Sequence, residues 1–273
     1  MDKSIKRING HTKAYENWKH QTQDTFEFSM LVCSAVPVLK RNMKLFEKGI
    51  IPEITKADYY APKDDISHER QTDINDKLKA RAIGYKSKLS KYVLISNFSF
   101  FESYINDVIN EMIEFHGGRE KFLEKAKNRT FDHIVNDSDE LEKKRRVIRK
   151  PNKVEHYSKY KSTSEYLDSI GYKFPSDMLS TYGIQMLYQK LSNMKSQDIP
   201  ELLQNGLFLA LEQPLVVDFH NIRQERNKIA HGDHIELSIG QVTSMSRTLR
   251  EIAKKLDQHL LRYFFISEDY IKI

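Results

Sequence analysis

The sequence predicts an all-α fold, a helical bundle with an N-terminal helical extension and a basic insert, and three observations carry that expectation. Ten Gly and seven Pro are few for 273 residues, while helix-forming Lys, Glu and Leu are plentiful. Long stretches repeat apolar residues every three or four positions, the spacing of one helix face. Stop and capping signals stand at the edges of those stretches.

From Thr12 to Glu47 the spacing of Trp18, Phe26, Met30, Cys33 and Val36 is helical, and Pro37 is expected to divide the segment into two helices. Ile51 to Asp73 carries Pro52, Pro62 and many charges with no stable period, which predicts a linker and a boundary near residue 75. Leu89, Val93, Phe98, Phe101, Ile105, Val108, Met112 and Phe115 then mark a long helix, stopped by Gly117 and Gly118. Its aromatic stripe is assigned to packing rather than to a ligand platform.

Phe131 to Ser176 is polar and interrupted by Pro151, Gly171 and Pro175, so helical fragments and loops are expected there. Met178 to Met194 reads as helical, and Gly206 breaks the segment after it. A further helix is expected from about Pro214, a residue suited to a first helical turn, to His231, with Gly232 ending it. Ser238 and Gln241 form a capping-box pair ahead of Ile239, Val242, Met245, Leu249, Ile252, Leu256, Leu260 and Tyr263. That narrow seam is expected to bury against another helix or a second copy.

Composition removes several function classes. Cys33 is the only cysteine, so neither an intrachain disulfide nor a cysteine-rich metal site can form. The most apolar run, Met30 to Leu39, includes Ser34 and Pro37 and is half the roughly 20 residues a membrane helix needs. Met1 to Lys19 has no apolar core of a secretory signal, so a cytoplasmic location is expected. There is no Gly-rich phosphate loop and no nucleophile elbow. His231, His234 and His220 do not make a convincing metal site, because Gly232 breaks the helix between the first two.

Charge is concentrated. The net of +6 comes from 44 Lys and Arg against 38 Asp and Glu. Between Leu141 and Lys161 nine basic residues, Lys143, Lys144, Arg145, Arg146, Arg149, Lys150, Lys153, Lys159 and Lys161, face only Glu142 and Glu155. Tyr157 and Tyr160 interleave with them, a mixture that can follow a phosphate backbone and stack bases.

The segment Ile222-Arg223-Gln224-Glu225-Arg226-Asn227-Lys228-Ile229-Ala230-His231-Gly232 is the most specific in the chain. With an amphipathic helix after it, it resembles the signature of the HEPN superfamily, RiboL-PSP-HEPN-like ribonucleases in particular. In that signature an Arg, usually followed by a polar residue, stands four to six residues before a His near a helix end. Arg226, Asn227 and His231 fit with four residues between. Arg149 and His156 also have an allowed spacing, but Pro151 between them forbids the helix. The resemblance covers roughly residues 80 to 265.

The residue types suit RNA cleavage without a metal, which needs a base, an acid and a cation for the charge building on phosphorus. His231 can serve as base or acid. Arg226 offers a permanently charged fork matching two phosphate oxygens. Asn227, four residues before His231, can orient the imidazole or hold a phosphate oxygen. Five helical steps put Arg226 about 140° around the helix from His231, a separation that pairing two motifs across a two-fold axis relieves. Arg223 is a candidate additional phosphate contact. The alternative for the motif is structural, with Arg226 paired to Glu225 or another carboxylate and His231 capping a helix.

The resemblance implies a homodimer that cleaves RNA by 2′-hydroxyl attack and acts as a toxin or antiviral defence effector, alongside an antitoxin or defence-system partner protein. No cofactor, metal or membrane is called for. A non-catalytic dimeric module that binds RNA or protein is the alternative. The expected organisation is an N-terminal helical extension and linker over 1–75 and a HEPN-like domain over 76–273, with the basic insert at about 129–175.

Overall fold

The computed structural model of the chain describes residues 10–52, 54, 76–122, 187, 193–207 and 209–265. All regular structure among the described residues is helical, with no strand. Four long helices dominate: α1 (Lys13–Glu47), α2 (Tyr85–Phe115), α3 (Gln213–Ala230) and α4 (Ile239–Tyr263). A run of short turns, Ser196–Asp198, Ile199–Glu201 and Leu202–Gly206, leads into α3.

α2 is the centre of the bundle because its apolar stripe is continuous. Phe98, Phe101, Ile105, Val108, Ile109 and Met112 are wholly buried, each contributing about 1.5–3 kcal/mol in removing apolar surface from water. Phe98 and Phe101 meet Phe219 of α3 at ring-centroid distances of 5.7 and 6.0 Å. The Tyr104 hydroxyl donates to the Ala253 carbonyl of α4 at 3.0 Å. Ser238 and Gln241 form the expected capping box at the start of α4, each side chain bonded to the other's backbone N–H, at 3.2 and 2.9 Å. The α4 seam packs on α2 and α3 through Val242, Leu249, Ile252, Leu256 and Leu260.

α1 differs from expectation. It is one helix of 35 residues with Pro37 inside it, not two. Proline's fixed φ is compatible with helix, and its missing N–H strands only the carbonyl of Cys33. Tyr15 and Trp18 before Pro37 and Met43 after it are all buried, so tertiary packing at both ends holds one axis. Its first turn is tied down by two carboxylates from other helices. Asp257 of α4, wholly buried, accepts from the Thr12 backbone N–H (3.0 Å), the Thr12 hydroxyl (2.7 Å) and His11 Nδ1 (2.7 Å). Glu111 of α2 accepts from the Lys13 and Ala14 backbone N–H groups at 2.9 and 2.7 Å. Carboxylates at a helix N-terminus satisfy orphan donors and favour the dipole.

The expected linker lies, apart from residues 51, 52 and 54, outside the described residues. The helix expected at 178–194 does so too, apart from residues 187, 193 and 194, as does all of 131–176. Among the described residues, no helix is long and apolar enough to cross a membrane.

Candidate active site

α3 begins with Pro214 in its first turn and buries Leu215, Phe219 and Ile222 against the bundle. Arg226 continues that stripe one turn beyond Ile222, at the point where α3 leaves the core. Its guanidinium therefore lands on the rim of the apolar interior, with its carbon centre 5.5 Å from the ring centroid of Phe98, a cation–π placement. Nη1 donates to Asn227 Oδ1 at 3.1 Å and Nη2 to Glu102 Oε2 at 3.2 Å. Both side chains of the Arg226–Glu102 pair are about one-quarter exposed.

Burial pushes the Glu102 carboxyl above its usual range, opposed by the Arg226 charge and a hydrogen bond with the Ser196 side chain. Glu225, the neighbour considered as a structural partner, bonds instead to Lys228 at 2.7 Å. Among the described residues, Arg223 and Arg226 each keep a buried Nε with no hydrogen-bond partner. One turn before Arg223, burial and then the Arg223 charge lower the His220 imidazole from its ordinary pKa. The Arg226 guanidinium, about one-quarter exposed, keeps a planar fork that can meet an anionic oxygen from the solvent side.

His231 is the cap residue at the end of α3. Gly232, at φ 86°, turns the chain left-handed, and its N–H bonds to the Ile229 carbonyl while that of Asp233 bonds to Lys228, a Schellman closure. The helix thus ends one residue before His231. The imidazole is exposed, and among the described residues it has no side-chain hydrogen bond or ion pair. The chain brings Arg226 and Asn227 together with Glu102 and does not bring His231 against Arg226, as their angular separation on the helix requires.

Sequence reasoning missed Glu102, Phe98 and Ser196. A signal existed for the first: Glu102 stands between the wholly buried Phe101 and Ile105 and one turn after Phe98. A carboxylate beside such a stripe needs a cationic partner. Lys143, Lys144, Arg145, Arg146, Arg149, Lys150 and Tyr157 lie outside the described residues. Among the described residues no group of three His, Cys, Asp or Glu side chains is placed to hold a metal ion.

A helical bundle with an Arg-Asn pair and a His at the end of one helix, followed by a capped amphipathic helix, is a protein of the HEPN type. The chain belongs to the RiboL-PSP-HEPN family, whose model matches residues 58–262. No curated protein and no solved structure matches it. The match starts beyond α1, yet Ala14, Tyr15 and Trp18 of that helix sit in the same apolar core as α2 and α4.

Proposed function

We propose that the chain is a metal-independent endoribonuclease whose active site is completed across a homodimer interface. The observation that carries this reading is the Arg226 guanidinium, about one-quarter exposed and held over Phe98 and against Glu102 beside Asn227, on a helix that ends at an exposed His231 in a chain of the RiboL-PSP-HEPN family. In the proposed reaction the 2′-oxygen of one nucleotide attacks the adjacent phosphorus as its proton passes to one His231. The bond from phosphorus to the 5′-oxygen breaks, and the departing oxygen takes a proton from the second His231. Arg226 neutralises charge on the non-bridging oxygens, with Glu102 and Phe98 fixing its plane. The products carry a 2′,3′-cyclic phosphate and a 5′-hydroxyl.

A two-fold axis is part of the proposal because acid and base are both needed and each chain offers one such histidine. Arg223 is proposed as a further phosphate contact, and the basic segment with Lys143, Lys144, Arg145, Arg146, Arg149, Lys150 and Tyr157 as a guide for RNA. A cytoplasmic role as a toxin or antiviral effector, held in check by an antitoxin or defence-system partner, rests on the family resemblance.

One observation favours the second reading, a non-catalytic dimeric module. Arg226 already has a carboxylate partner in Glu102, as a purely structural hydrogen-bond centre would. The two readings separate when wild-type, Arg226→Ala and His231→Ala proteins are incubated with total cellular RNA in excess EDTA and 3′ ends are read. Cyclic-phosphate ends from the wild type, with RNA binding retained and cleavage lost in His231→Ala, are the expected result. Intact RNA with a folded, dimeric, RNA-binding wild type assigns the chain to the second reading.

A further inference from the structure

α1, α2 and α4 enclose a cavity of about 380 Å³ that shares no residue with the Arg226 site. It lies between the middle of α1, from Trp18 to Cys33, and the N-terminal halves of α2 and α4. The walls are apolar, supplied by Leu89, Val93, Val242 and Leu249, and the mouth is ringed by Phe26 and Met30, both more than half exposed. The volume is in the range of small-molecule sites.

Asn97, on the lining, is 7% exposed and donates through Nδ2 to Ser246 Oγ at 2.8 Å, and that hydroxyl donates to the Val242 carbonyl at 2.9 Å. Among the described residues no carboxylate lines the cavity, whereas Arg247 and Arg250 do, and both are exposed.

We propose that this cavity is a binding site for a small amphipathic anion, with a ring-like apolar body against Leu89, Val93, Val242 and Leu249 and an anionic head between Arg247 and Arg250. A volume of about 380 Å³ suits a small molecule rather than a helix, and the two exposed guanidinium groups supply the charge opposite to its head. Asn97 adjoins Phe98, the ring under Arg226, so an occupant would sit against the same turn of α2 that positions the guanidinium.

The test uses the full chain and two fluorescent probes of similar shape, anionic 8-anilinonaphthalene-1-sulfonate and uncharged N-phenyl-1-naphthylamine, with stoichiometry from calorimetry. The expected result is one saturable sulfonate site per chain. Reversing both exposed charges, Arg247→Glu with Arg250→Glu, should weaken the sulfonate about tenfold and the neutral probe less than about twofold. Thr243→Trp, which fills the cavity, should remove both. If Thr243→Trp does not fold, the charge reversal decides alone, because it touches only exposed side chains. Absence of saturable binding overturns the proposal, as does sulfonate binding indifferent to charge reversal. So does a charge-reversed chain whose oligomeric state changes while probe binding does not, which would give the groove to a second copy.

Discussion

His116 and His231 each occupy the cap position at the C-terminal end of a helix, and each precedes a left-handed glycine, at φ 88° and 86°. The backbone closure after them is the same: Gly117 and Gly118 bond back to Glu114 and Ile113 as Gly232 and Asp233 do to Ile229 and Lys228. Their side chains have opposite fates. His116 is 2% exposed, donates through Nε2 to the Phe264 carbonyl at 2.6 Å, and packs against Phe115 and Phe122. His231 is exposed, and among the described residues no side-chain hydrogen bond or ion pair holds it. Helix termination is local chemistry, but whether the capping imidazole is a strut or a reactive group depends on what distant chain covers it.

Exchanging each histidine for alanine tests this contrast with the largest expected effects. His231→Ala should lower RNA cleavage about 10²–10⁴-fold while unfolding free energy stays within about 0.5 kcal/mol of wild type. His116→Ala should do the reverse. It removes the bond to the Phe264 carbonyl and leaves a hole among aromatic rings, a loss of about 2–4 kcal/mol by chemical denaturation, with cleavage preserved where the variant remains folded. Interchanged outcomes would break the comparison.

A third histidine sharpens it through pH. His259 of α4 donates to the Leu207 carbonyl at 2.6 Å, and burial lowers its pKa to about 4, with the Leu207 bond opposing and the Arg262 charge assisting. The unfolded value, near 6.5, lies above the folded one, so the unfolded chain binds more protons between them. The stability from the neutral imidazole is complete above about pH 6.5 and is lost as pH falls toward 4, roughly 3 kcal/mol in all. Denaturation midpoints measured across that window should fall accordingly, and His259→Gln should flatten the slope.

The smallest effects come from the glycines. Gly232→Ala and Gly117→Ala both force a Cβ into the left-handed region, at about 1 kcal/mol each. A Cβ at Gly232 meets open space, whereas one at Gly117 comes 2.9 Å from the movable Cδ of Lys121. Thermal melts should therefore show similar losses, slightly larger at Gly117.

What could be read from sequence follows the same division between local and distant causes. The C-terminal end of α2 and both ends of α3 and α4 were legible to within a residue or so, because glycine stops, the Ser238 box and the apolar period act over a few positions, whereas the start of α2 at Tyr85 lies four residues before its first apolar marker, Leu89. The continuity of α1 through Pro37 was not, since it depends on packing at both helix ends. Arg226, Asn227 and His231 were legible as a motif, whereas Glu102 was not assigned to the site, because its ion pair joins residues 124 apart. Asp257 reads as a polar break in the α4 seam, and only the fold reveals that it caps α1 from 245 positions away.

The central claim is that the His231 side chains of both protomers serve one cleavage, one as base and one as acid. Wild-type and His231→Ala chains are co-refolded at equal concentration and assayed on RNA in EDTA. Random pairing yields about a quarter wild-type dimers and about half heterodimers with a single His231, so the account predicts about a quarter of the activity of wild type at the same total concentration. About half of the wild-type activity, with the heterodimers confirmed by native mass spectrometry, would contradict the account.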